Sequence, residues 1–103
     1  MVTQNGVPFL QPDELASTLG IWRGLFADPY AYVAAIPTYV GGHMTMGFAT
    51  DNNALRALAL ATLEQRFAAA ELETRYYTPE VHKAAFALPR FIRDITDKAI
   101  GRG

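Results

Sequence analysis

The feature that most constrains this chain is a pair of glycines set between two apolar runs. Residues 30–36 are continuously apolar and include Tyr30, Tyr32, Val33 and Ile36. Gly41 and Gly42 follow, and then Met44, Met46 and Phe48 alternate with Thr45, Gly47 and Ala49. Alternation with a period of two after a glycine connector is the pattern of an antiparallel strand pair. Pro37 has no N–H to give to a ladder, so the first strand is expected to end or bulge there. The pair is expected over residues 30–36 and 43–49. Both strands are apolar on both faces, as strands are when helices cover both sides of a sheet. A tyrosine, Tyr39, and two flexible glycines then gather at one end of that sheet. A hairpin turn is the plain structural reading of the cluster.

Helical patterns flank the pair. Pro12 suits a first helical position, and Asp13 and Glu14 suit the positive end of a helix dipole. Leu15, Leu19, Trp22 and Phe26 then fall at i, i+4, i+7 and i+11 on one face. Asp28-Pro29 is expected to stop that helix. Trp22 reads as a core anchor. After the strands, Asp51, Asn52 and Asn53 are cap candidates for a second helix over residues 54–70, which carries Leu60, Leu63 and Phe67 at helical spacing. Thr78 can cap a third helix opened by Pro79 and running to about Ala87. Pro89 restarts a last helix with Phe91, Ile92, Ile95 and Ala99 along its stripe. Leu15, Trp22, Ile36, Met46, Leu63 and Phe91 are the apolar side chains expected to meet in a core.

The 103 residues are enough for one small core. Half are hydrophobic and 18% are charged, a globular balance. The net charge of −1 provides no basic field for nucleic acid or an anionic membrane. Without cysteine there is no disulfide framework and no thiolate chemistry. The first residues lack the basic and apolar regions of a signal peptide, and no apolar run is long enough to span a bilayer. A cytoplasmic protein with no membrane and no nucleic-acid partner is the resulting expectation.

Catalytic motifs are sparse. His43 stands beside the glycine pair and His82 on the short third helix, at a spacing that does not make a metal pair. No nucleophile elbow, P-loop or Gly-x-Gly-x-x-Gly is present. Asp13-Glu14 and Asp94 with Asp97 read as solvated helix surface. A lone histidine beside aromatic residues reads first as a satisfied structural group.

Three stretches nevertheless carry a resemblance. Ile36-Pro37-Thr38-Tyr39, then Gly41-Gly42 and the strand after it, resemble the strand-turn-strand near the C-terminus of spermidine synthases, the polyamine aminopropyltransferases. The stretch from Arg75 through Tyr76, Tyr77, Thr78 and His82 to Leu88-Pro89 is similar to that family's closing Tyr-Tyr-Asn-x-x-x-His-x-Ala-Ala-Phe-x-Leu-Pro motif, with Thr78 where asparagine is usual. Gln4-Asn5-Gly6 is similar to the glutamine-bearing end of the preceding strand. The resemblance covers nearly all of this chain and about the last third of the family's enzyme.

That resemblance implies one partial domain over residues 1–103, the C-terminal half of a doubly wound, Rossmann-like methyltransferase fold. It implies transfer of an aminopropyl group from decarboxylated S-adenosylmethionine to putrescine, with no metal or covalent intermediate. The adenosyl site and the catalytic aspartate loop of the family have no counterpart here. The segment is therefore expected to be inactive alone, with no catalytic residue of its own. What carries over is substrate binding: Tyr39 to a substrate amine, Met44 to the methylenes of the diamine, and Gln4 near the same pocket. The partners implied are a putrescine-like diamine once the rest of the enzyme is supplied, and either a second copy of the chain or the remainder of a synthase. Residues 1–4 would be the tail of a parallel strand, expected to need a new partner or to detach. Two other readings stand beside this one. One is a stand-alone interaction module that self-associates or binds a full-length synthase. The other is an independent small-molecule binder or enzyme built on Tyr39 and His43.

Overall fold

The computed structural model describes residues 1–36 and 43–102. It is an α/β arrangement with a three-stranded sheet in the order β1-β3-β2. The strands are β1 (Val2–Gln4), β2 (Asp28–Ala35) and β3 (His43–Thr50). The helices are α1 (Pro12–Trp22), α2 (Leu60–Ala70), α3 (Pro79–Ala85) and α4 (Arg90–Ala99).

The strand pair forms as its alternation implies. β2 and β3 pair antiparallel in an unbroken register from Asp28 opposite Thr50 to Ala35 opposite His43. β2 begins at Asp28 and Pro29, two residues earlier than the apolar run. Pro29 is tolerated because β2 is an edge strand, where a missing N–H costs no ladder bond. β1 does not detach. It pairs antiparallel with β3, Thr3 opposite Gly47, so β1 and β2 run in one direction with β3 reversed between them. The Met1 amino group adds a 2.9 Å hydrogen bond to the Ala49 carbonyl.

Side chains alternate across this sheet. Ala31, Val33 and Ala49 face α1 and α4, where Leu15, Leu19, Trp22 and Ile92 complete a buried core. Trp22 is its anchor, 6% exposed and edge-to-face with Phe26 at 5.9 Å. Phe91 does not join it. Ile92 occupies the buried position of α4, while Phe91 is 46% exposed and meets Phe9 edge-to-face. One step along a helix turns a side chain by about 100°, so only one of two neighbouring apolar residues can face inward.

The helix ends differ from the expected ones where tertiary contacts intervene. α1 ends at Trp22, and a final turn follows in which the N–H groups of Leu25 and Phe26 donate to the Trp22 carbonyl. α2 begins at Leu60 rather than near Ala54. Residues 51–59 instead form turns, in which Asn52 caps the Ala54 N–H at 3.0 Å and Arg56 is drawn away to Asp28. α3 starts as its caps imply: the Thr78 hydroxyl accepts from the Val81 N–H at 3.0 Å, with Pro79 next. Asparagine would cap the same way, so the departure at Thr78 leaves the function of that position intact.

Candidate functional site

The even-numbered residues of β2 and β3 point to the face opposite α1. Gln4, Met46 and Tyr32 lie in one row across the three strands, and Met44 and Ala34 occupy the next row of β3 and β2. Two of the three expected site residues, Gln4 and Met44, thus share one face of the sheet. The third, Tyr39, falls at 37–42, outside the described residues. Gln4 is exposed, while Met44 is 2% exposed.

The residue after Gln4 anchors this end of β1. Asn5 is 2% exposed, and its side-chain oxygen accepts from the Gly47 N–H at 3.0 Å and from the Thr3 hydroxyl at 2.6 Å. Its amide nitrogen donates to the Thr18 hydroxyl at 2.7 Å. The Thr45 hydroxyl in turn donates to the carbonyls of Asn5 and Gly6. A buried polar network with this many satisfied partners specifies a single arrangement. It ties the end of β1 to β3 and α1 at once. Nothing in the periodicity marks Asn5 for this role. The only signal is an asparagine directly after a strand.

Over the sheet face lies an aromatic layer built from α3. Phe86 meets Tyr32 at 5.5 Å and Phe48 at 5.3 Å, both edge-to-face. His82 stands between Tyr77 and Phe86, and its Nδ1 lies 2.7 Å from the Tyr77 hydroxyl in a hydrogen bond whose donor depends on the imidazole tautomer. Tyr77 in turn leans on Phe67 of α2. Burial in this layer raises the pKa of the Tyr32 phenol above its ordinary value.

Two cavities flank this layer. One, of about 310 Å³, opens between the sheet face and α3 and is walled by Val2, Tyr32, Ala34, Tyr76, Val81 and Ala85. The other, of about 380 Å³, lies towards α2 among Leu55, Leu58, Leu63, Arg66, Phe67 and Leu72. Phe48, Tyr77, His82 and Phe86 line both and form the partition between them. The first cavity offers aromatic faces and methyl groups with no carboxylate. Such a surface suits apolar groups such as methylenes. His43, the other histidine, is exposed at the start of β3.

The loop before α3 contributes two tyrosines that point apart. Tyr77 engages His82, whereas the Tyr76 hydroxyl accepts the Ala35 N–H at 3.1 Å, at the last residue of β2. Among the described residues no group of three or more His, Asp or Glu could hold a metal ion. No helix among them is long and apolar enough to cross a membrane.

Comparison with known proteins agrees with the sequence motifs. The chain is 55% identical over 95 residues to a polyamine aminopropyltransferase of Ruegeria sp., covering 92% of this chain and 34% of that protein. It is 50% identical over 99 residues to the polyamine aminopropyltransferase of Pseudomonas syringae pv. tomato, covering 96% of this chain and 35% of that one. No family model matches. In fold it is similar to the crystal structure of spermidine synthase from Thermotoga maritima, with a TM-score of 0.76 and 23% identity over 99% of this chain and 33% of that one. A spermidine synthase in complex with the transition-state analogue AdoDATO gives a TM-score of 0.75 at 24% identity, over 97% of this chain and 32% of that one. The chain spans about a third of the length of the curated relatives it matches.

Proposed function

We propose, for a chain that corresponds to the C-terminal segment of the polyamine aminopropyltransferases, that it forms the acceptor-amine wall of such an enzyme and holds no complete active site of its own. The observation that carries this reading is the 55% identity across 92% of the chain to one third of an aminopropyltransferase. In the reaction, the nitrogen lone pair of putrescine attacks the propyl carbon bonded to the sulfonium of decarboxylated S-adenosylmethionine. A C–N bond forms as the C–S bond breaks, and sulfur leaves with the electron pair as a neutral thioether. The new ammonium then gives its extra proton to a base or to water.

The part of this chain is to bind and orient the amine. Tyr39 offers a hydroxyl to an amine end, and Gln4 an amide at the rim. The sharing of one sheet face by Gln4 and Met44 supports this assignment. Met44 is buried in the chain as it stands, so its packing on the methylenes requires its cover to shift. The adenosyl donor and the catalytic carboxylate come from the remainder of the enzyme. That remainder joins along the outer edge of β1, a terminal strand of the sheet where Met1 is 65% and Val2 53% exposed. In this reading the assembled enzyme works in the cytoplasm.

The test has two arms. The purified chain, given putrescine and decarboxylated S-adenosylmethionine, forms no spermidine above the no-enzyme rate. Placed in the Ruegeria relative in exchange for its matching third, it supports transfer. Spermidine from the purified chain, or a folded but inert chimera, overturns the proposal. Sedimentation adds a check on the open edge: the chain associates, with itself or with the remainder, at micromolar concentration.

A further inference from the structure

We propose that Tyr76 is a positioning residue for amine binding, holding the Ala35 end of β2 so that the cavity wall formed by Tyr32 and Ala34 keeps its place. The proposal rests on the reading of this chain as an acceptor-amine wall.

Ala35 is the last residue of an edge strand. Strand ends fray unless something ties them down. Beyond its pairing with His43, a side chain from a distant part of the sequence ties this end down: the Tyr76 hydroxyl accepts the Ala35 N–H at 3.1 Å. Tyr76 is 56% exposed, so hydrophobic burial does not account for its placement. Its ring lines the cavity of about 310 Å³ together with Tyr32 and Ala34, on either side of Val33 in β2. Ala34 stands opposite Met44, and Tyr32 opposite Met46 and, one strand further, Gln4. The row proposed to meet the amine therefore ends on the stretch of β2 that Tyr76 secures.

The loop carrying Tyr76 is itself held on both sides. The Thr74 hydroxyl donates to the Tyr77 carbonyl at 2.7 Å, and the Tyr77 hydroxyl engages His82 of α3. Thr78 then caps α3. Tyr76 is thus a fixed arm reaching from the α3 layer to the strand end. The hydrogen bond borders the cavity lined by Tyr32 and Ala34, so under the amine-wall reading its loss is expected to loosen the amine side.

The test compares Tyr76→Phe with the parent in two settings. In the chain itself, amide exchange followed by NMR is expected to quicken about five-fold at Ala35, the factor for one lost hydrogen bond, and to change less at amides outside β2. In the chimera with the Ruegeria relative, KM for putrescine is expected to rise about five-fold, with kcat and KM for the adenosyl donor within two-fold of the parent. Unchanged Ala35 exchange overturns the inference, whatever the activity. Parallel changes in both KM values and kcat, with a lowered melting temperature, overturn it in favour of a purely structural role. An inert parent chimera counts against the function proposed above, and leaves Ala35 exchange to decide the contact.

Discussion

Arg56 grips Asp28 through two parallel hydrogen bonds, Nε to Oδ2 and Nη2 to Oδ1, each 2.7 Å long. The same guanidinium lies 3.8 Å from the centre of the Tyr30 ring. Asp28 is 4% exposed at the start of β2, so removing its partner leaves a buried, uncompensated carboxylate. Arg56→Ala is expected to cost about 2–4 kcal/mol by urea unfolding. Arg56→Lys keeps the charge and loses the fork and the ring stacking, at roughly 1 kcal/mol.

Gly47 is a glycine for want of room. A Cβ there would lie 2.6 Å from Asn5 Oδ1 and 2.8 Å from Trp22 Cζ3. Gly47→Ala must push apart the Asn5 network and the core tryptophan together. The expected loss is about 2–3 kcal/mol, with a change in tryptophan fluorescence.

Thr96 is fully buried in α4, and its hydroxyl has no hydrogen-bond partner among the described residues. Valine keeps the shape and removes the unsatisfied group, while the two residues differ little in helix propensity. Thr96→Val is expected to stabilise by about 1 kcal/mol, a rise of roughly 4–8 °C in Tm.

Burial raises the Tyr32 phenol above its ordinary value of 10.0. The folded chain therefore keeps this proton at a pH where the unfolded chain has released it. Its contribution is fully present below pH 10 and is lost as pH rises through the folded pKa. Alkaline unfolding of Tyr32→Phe, followed by circular dichroism, is expected to be shallower above that pH than that of the parent.

For Tyr39, the expectation concerns kinetics in the completed enzyme. Tyr39→Phe should raise KM for the amine by a factor corresponding to about 1 kcal/mol, with KM for the adenosyl donor changing less. Equal loss for both substrates would assign the hydroxyl a structural part.

Local chemistry was legible in the sequence, and long-range chemistry was not. The strand pair, the Thr78 cap and the break at Pro89 each follow from a few adjacent residues. The start of α2 does not, because Arg56 answers to a carboxylate 28 residues earlier rather than to its own helix. The core role of Ile92 over Phe91 depends on which way α4 is turned, and an apolar stripe read without its partner helix leaves that open. Of the site, the register places Gln4 and Met44 on one face of the sheet, a relation that depends on strand pairing and not on local pattern. The tyrosine pair stood in plain view in the motif, yet its division of labour, one hydroxyl to the sheet edge and one to His82, needed the fold to be seen.

The sheet order also dictates a sequence of events in time. The central strand is the last of the three to be synthesised, so β1 leaves the ribosome before the strand it pairs with in this sheet. Asn5 must wait for Gly47, 42 residues later. At translation speeds of about 5–20 residues per second, that is a delay of roughly two to eight seconds. The β2–β3 hairpin closes in about 1–10 μs once both strands are free. The β2–β3 pair therefore forms first and takes up β1 afterwards, so the Asn5 network that closes the sheet is the last part of it to be assembled.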